Sequence, residues 1–172
     1  MMHDRGSLSF LAMTVVTLIL ISKSTLAEPK LLKEQLVGAW LLISEETTLP
    51  NGSKQQPLGS SPRGVLIVDS SGQYALVVER PDRPKFKAAG DYRNTATIEE
   101  LASAVRGFAA NFGTWSTDEA ARILIRLNEG ALIPNVEGSQ TRAIVALSDD
   151  ELRLTVTSPS GAKNDQVFRR AK

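Results

Sequence analysis

Leu36-Val-Gly-Ala-Trp-Leu-Leu-Ile-Ser44 reads as a strand, and it opens a chain in which one strand follows another, broken by a single helix midway. Working outward from it, the loop Thr47 to Pro62 is dense in turn residues. Gly64 to Asp69 and Gln73 to Glu79 then form a hairpin through Ser70-Ser-Gly72. Arg80-Pro-Asp-Arg-Pro84 stops the run, because proline cannot donate to a ladder. From Thr97 the period changes. Ile98, Leu101, Ala102, Val105, Phe108, Ala109 and Phe112 recur at spacings of three and four behind a Thr97/Glu100 capping box, which predicts an amphipathic helix over residues 98–111. Further strands are expected at 112–116, 121–128, 141–147, 151–157 and 166–170, eight in all.

Eight short strands with short turns suit an all-β antiparallel meander, and closure into a barrel removes exposed edges. Such a barrel holds side chains or one small ligand inside, and the helix would plug it in part. Alternation assigns Ile123, Ile125 and Leu127 to the core opposite Arg122, Arg126 and Asn128. It assigns Leu152, Leu154 and Val156 to the core opposite Glu151, Arg153 and Thr155. The first strand departs from this pattern. Trp40 and Leu42 share one face, but Val37, Ala39, Leu41 and Ile43 make the other face apolar too, so a cover is expected outside: segment 29–35, or a second subunit in a homodimer.

Residues 1–27 have the form of a secretory signal: Arg5, the apolar run Phe10 to Ile21, and small residues ahead of a cut after Ala27. Those twelve apolar residues fall short of the about 20 needed to span a bilayer, so no stable membrane anchor is expected after cleavage, and a secreted or periplasmic location follows. Residues 28–172 would then form a single domain of balanced charge, with 18 basic and 18 acidic residues. That balance gives no footprint for nucleic acid or an anionic membrane. There is no cysteine, and the only histidine is His3. The mature chain therefore lacks the parts for a Ser-His-Asp triad, a cysteine nucleophile, His or thiolate metal ligation, or a disulfide, and no cofactor is expected.

Six pieces in order resemble the bacterial and fungal lipocalin-like domain family: Leu36-Val-Gly-Ala-Trp40, Pro57 to Ile67, Gly72-Gln-Tyr74, Arg80 to Phe86, Phe112-Gly-Thr-Trp115 and Glu129-Gly-Ala-Leu-Ile-Pro-Asn135. The resemblance implies an eight-stranded lipocalin-like barrel. Members often carry histidines before the Glu-Gly turn, where this chain has Ile123-Leu-Ile-Arg-Leu-Asn128, so imidazole chemistry is absent here. The helix between the third and fourth strands also differs from the C-terminal helix of true lipocalins.

Seven residues are candidates for a ligand site. Trp40 and Trp115 offer aromatic surface, with core packing as the alternative. Analogy with true lipocalins places Arg169 or Arg170 on Trp40 as a cation–π partner, or else in a solvated tail. Arg80 and Arg83 form a rim suited to an acidic group, or a loop held by its own Arg–Asp pairing. Tyr74 and Arg142 are candidates for an inward hydroxyl and guanidinium, the alternative being a merely packed Tyr74 and an Arg142 that faces water, and Phe108 is a candidate for an apolar wall. The first functional expectation is a binding protein for a small hydrophobic or amphipathic molecule. The alternatives are a cofactor-free cyclase, isomerase or dehydratase using the same cavity, and a filled structural barrel with a protein-binding face.

Overall fold

The computed structural model describes residues 30–87 and 90–172, and the expected signal segment lies outside them. The described residues form β1 (Gly38–Thr48), β2 (Lys54–Gln55), β3 (Arg63–Val68), β4 (Gln73–Glu79), β5 (Phe108–Asp118), β6 (Ile123–Ala131), β7 (Gln140–Leu147), β8 (Glu151–Thr157) and β9 (Lys163–Arg170). Three helices accompany them, α1 (Leu32–Leu36), α2 (Tyr92–Thr95) and α3 (Ile98–Arg106), with a short 3-10 turn at Pro134–Val136. Neighbouring strands pair antiparallel in the order β1-β3-β4-β5-β6-β7-β8-β9, and β9 returns to β1 to close an eight-stranded barrel. The two-residue β2 extends the β1 hairpin.

Strand direction sorts the connections to the two ends. The end where β1 begins is sealed by α1, whose Leu32 and Leu36 are buried against Trp40 and the rest of the core. Glu119, in the β5–β6 turn, accepts hydrogen bonds from the Leu32 and Lys33 amides at 2.7 and 2.9 Å, satisfying donors that α1 leaves open. Arg170 lies 4.0 Å from the Trp40 ring centroid and donates to the carbonyls of Gln35 and Val37, which ties the last strand to the first. The cation–π contact expected from the C-terminal arginines is thus made by Arg170. Segment 30–36 closes the barrel end and leaves the outer face of β1 uncovered, with Leu41 and Ile43 exposed.

Two expectations are corrected. On β6 the buried residues are Leu124, Arg126, Asn128 and Gly130, while Leu127 is exposed, the reverse of the expected phase. Alternation identifies which residues share a face, but the register with β5 decides which face turns inward: Trp115 opposes Arg126 and Gly113 opposes Asn128, across a bulge at Phe112/Gly113. On β8, Leu152 and Leu154 are buried as expected. The helix also differs. The Thr97/Glu100 capping box forms, yet α3 stops at Arg106 and Gly107 ends it. Residues 108–111 instead pair with β4, which extends the β4–β5 ladder to Glu79. The helix does not plug the barrel: it buries no residue, and Ile98 is 80% exposed.

Candidate ligand site

The inner wall is divided along the barrel axis. Toward the α1 end it is packed with Trp40, Leu66, Leu124, Leu152, Leu154 and Phe168, none of which retains solvent exposure. Toward the other end, polar side chains face inward. Gln166 donates to Glu45 at 2.8 Å, and Asn164 donates to Thr47 at 3.1 Å.

A second buried polar group, on β4 and β6, is connected by hydrogen bonds. The Tyr74 hydroxyl donates to Asn128 Oδ1 at 2.5 Å, and Asn128 Nδ2 donates to Ser139 Oγ at 3.0 Å and to the Val136 carbonyl at 3.3 Å. Tyr74 and Asn128 flank Gly113 on β5. A Cβ at Gly113 would stand 2.1 Å from the Leu127 carbonyl oxygen, so no other residue fits there without backbone movement.

Arg126 completes the group. It is 5% exposed, and its guanidinium carbon sits 5.6 Å from the Tyr74 ring centroid. Its Nε and Nη1 are buried with no hydrogen-bond partner. The inward carboxylate, Glu45, is engaged by Gln166, and the ion pairs formed among the described residues do not include Arg126. Burial lowers the pKa of this guanidinium, although arginine keeps its charge. Burial likewise pushes the Tyr74 phenol above its ordinary value, with the Arg126 charge opposing it in part and the Glu129 carboxylate adding to it. At neutral pH the pair is therefore a cation beside a protonated phenol. Among the described residues no three His, Cys, Asp or Glu side chains converge as a metal site.

Of the seven residues singled out from sequence, Tyr74 and Trp115 line the interior. Trp115 stands opposite Arg126, and its indole N–H donates to the Asp69 carbonyl at 2.9 Å. Trp40 is buried core at the sealed end, its indole donating to the Leu36 carbonyl. Arg142 lies outside, half exposed and 4.0 Å from Asp118, because β7 turns Ala143 and Val145 inward. Phe108 is also outside, starting β5 opposite Glu79 and lying under the Arg83 guanidinium at 4.9 Å. With Tyr92, Ala104, Val105 and Leu132 it borders an open groove of about 650 Å³. Arg80 is held by Asp82 in two hydrogen bonds of 2.9 Å, and Arg83 pairs with Glu79, so the rim arginines are engaged with their own loop. Arg126, Asn128, Glu45 and Gln166 were missed by sequence reasoning. Their neighbours Ile125, Leu127 and Ile43 are apolar, so local hydrophobicity points to the wrong face.

Comparison with known proteins yields a match between residues 37–171 and the family model described as a lipocalin-like domain. Among curated proteins there is no match. Similar solved structures include a lipocalin-like protein from Bacteroides uniformis, 16% identical over 80% of this chain and 99% of that one, with a TM-score of 0.42. A de novo designed fluorescence-activating β-barrel is 10% identical over 83% of this chain and 100% of its own, with a TM-score of 0.41. A mutant of the fluorescent protein UnaG is 14% identical over 80% and 97%, with a TM-score of 0.38.

Proposed function

Because the chain belongs to the lipocalin-like domain family, we propose that it is an exported binding protein that holds one small amphipathic molecule inside the barrel. The observation that carries this reading is a polar group buried inside a largely apolar barrel: Tyr74 bonded to Asn128, with Arg126 beside the Tyr74 ring and its Nε and Nη1 without hydrogen-bond partners. Small-molecule sites combine mostly apolar walls with a few placed polar groups. Burial raises the Tyr74 pKa, so the phenol is protonated near neutral pH and acts as a hydrogen-bond donor. Native mass spectrometry of protein purified from its own host tests both parts. The expected species begins at Glu28 and carries an additional small-molecule mass. A chain that retains Met1 counts against export, and a ligand-free mass under gentle conditions counts against binding.

A homodimer is the second part of the proposal. Leu41, Ile67, Val77 and Phe112 are exposed on four adjacent strands, and cross-strand pairs join them into one apolar band. An exposed band of this kind marks an association surface.

A further inference from the structure

The geometry points to Arg126 as the receptor for a carboxylate: the molecule held in the barrel is a monocarboxylic acid whose head group pairs with this guanidinium. The inference rests on the binding reading above and adds the chemical class of the ligand. A guanidinium is always charged and forks onto a carboxylate through paired donors. Here at least two of its nitrogens, Nε and Nη1, are buried without a partner, although the protein could have satisfied them with an acid of its own. Glu45 shares the inner face, but it is committed to Gln166.

Charge matching selects the head group. On the inner wall the other arginine, Arg170, is used to close the barrel end, stacked on Trp40 and bonded to the carbonyls of Gln35 and Val37. Of these two arginines among the described residues, Arg126 is the one left for the ligand, which suits a monoanion and leaves the second charge of a phosphate monoester unmet. Tyr74 does not compete for the site, since its hydroxyl hydrogen is given to Asn128 and only its ring faces the guanidinium. The packed floor near Trp40 and Phe168 limits how deep an apolar tail can reach.

The test uses decanoic acid and decanol, titrated calorimetrically into the full mature chain and into Arg126→Met and Arg126→Lys. In the wild type the acid is expected to bind at least about tenfold more tightly than the alcohol, the scale of a charge-assisted hydrogen bond in a buried site. Arg126→Met should abolish this preference and leave alcohol binding unchanged, while Arg126→Lys should keep part of it. Circular dichroism and thermal melting of the ligand-free variants check the fold, and Arg126→Met is expected to melt at or above the wild-type temperature. Equal affinity of the wild type for acid and alcohol overturns the carboxylate assignment and leaves the binding reading standing. Persistence of the acid preference in Arg126→Met also overturns the assignment. If neither compound binds the wild type, the carboxylate assignment and the binding reading fall together.

Discussion

Arg126 and Tyr74 show how one inward residue is set against stability. A charge taken out of water without a partner costs the fold on the order of several kcal/mol, more than a surface ion pair such as Arg153–Glu151 returns. A packed thioether in its place would remove that cost, and this is why the ligand-free Arg126→Met protein is expected to be no less stable. The Tyr74 hydroxyl works in the opposite sense, because it satisfies Asn128 in the interior. Tyr74→Phe leaves Asn128 Oδ1 without that donor and should cost about 1–3 kcal/mol in urea unfolding at neutral pH. The folded-state pKa of Tyr74 lies above its ordinary value of 10.0. Its contribution is therefore intact below about pH 10 and is lost as pH rises through the higher folded value. Stability of the wild type should fall more steeply than that of Tyr74→Phe on the alkaline side, and parallel curves would contradict this account.

At the scale of elements, α3 and the start of β5 meet where helical and strand patterns overlap. The spacing of Val105, Phe108, Ala109 and Phe112 fits a helix, yet β4 offers Glu79, Val78 and Val77 as partners for Phe108, Ala109 and Ala110. Gly107 marks the change: a Cβ there would lie 2.5 Å from Arg83 Cδ, inside the contact that holds the loop against α3. Phe108 consequently packs outside the barrel, half-buried under Arg83. Phe108→Ala should cost about 1–2 kcal/mol, below the 3–5 kcal/mol of a fully buried phenylalanine, and leave decanoic acid affinity unchanged. Chemical unfolding and the same calorimetric titration check both statements. A loss of binding would place Phe108 at the ligand.

At the scale of the whole molecule, closure removes free strand edges but does not make the outside polar. Leu41 pairs with Val65, Val65 with Val77 and Val77 with Ala110, so one apolar row crosses β1, β3, β4 and β5 on the outer surface. A second row runs through Ala39, Ile67, Ala75 and Phe112, with Phe112 56% exposed. Burying both rows against a second copy removes this surface from water, at about 25 cal/mol for each Å² of apolar area. Sedimentation equilibrium of the mature chain is expected to give a dimer. Ile67→Glu should give a folded monomer, since its side chain points away from the core. A wild type that sediments as a monomer at every concentration would sink the dimer.

The sequence by itself determined the strand count of the barrel, the hairpin at Ser70-Ser-Gly72, the Thr97/Glu100 cap and the family, because each depends on neighbours in the chain or on a pattern carried within one segment. It also placed Tyr74 and Trp115 on strands as candidate interior residues, and both face inward. Only the tertiary structure decided that Arg126 is inside and that Arg142 and Phe108 are outside. A strand's alternation is unchanged when it is turned over, so its apolar residues cannot say which face meets the core unless the other face is polar. On β6 the faces compete, Ile123, Ile125 and Leu127 against Leu124, Arg126 and Asn128. The pairing of Trp115 with Arg126 and of Gly113 with Asn128, made between segments that a turn brings together, settles the choice.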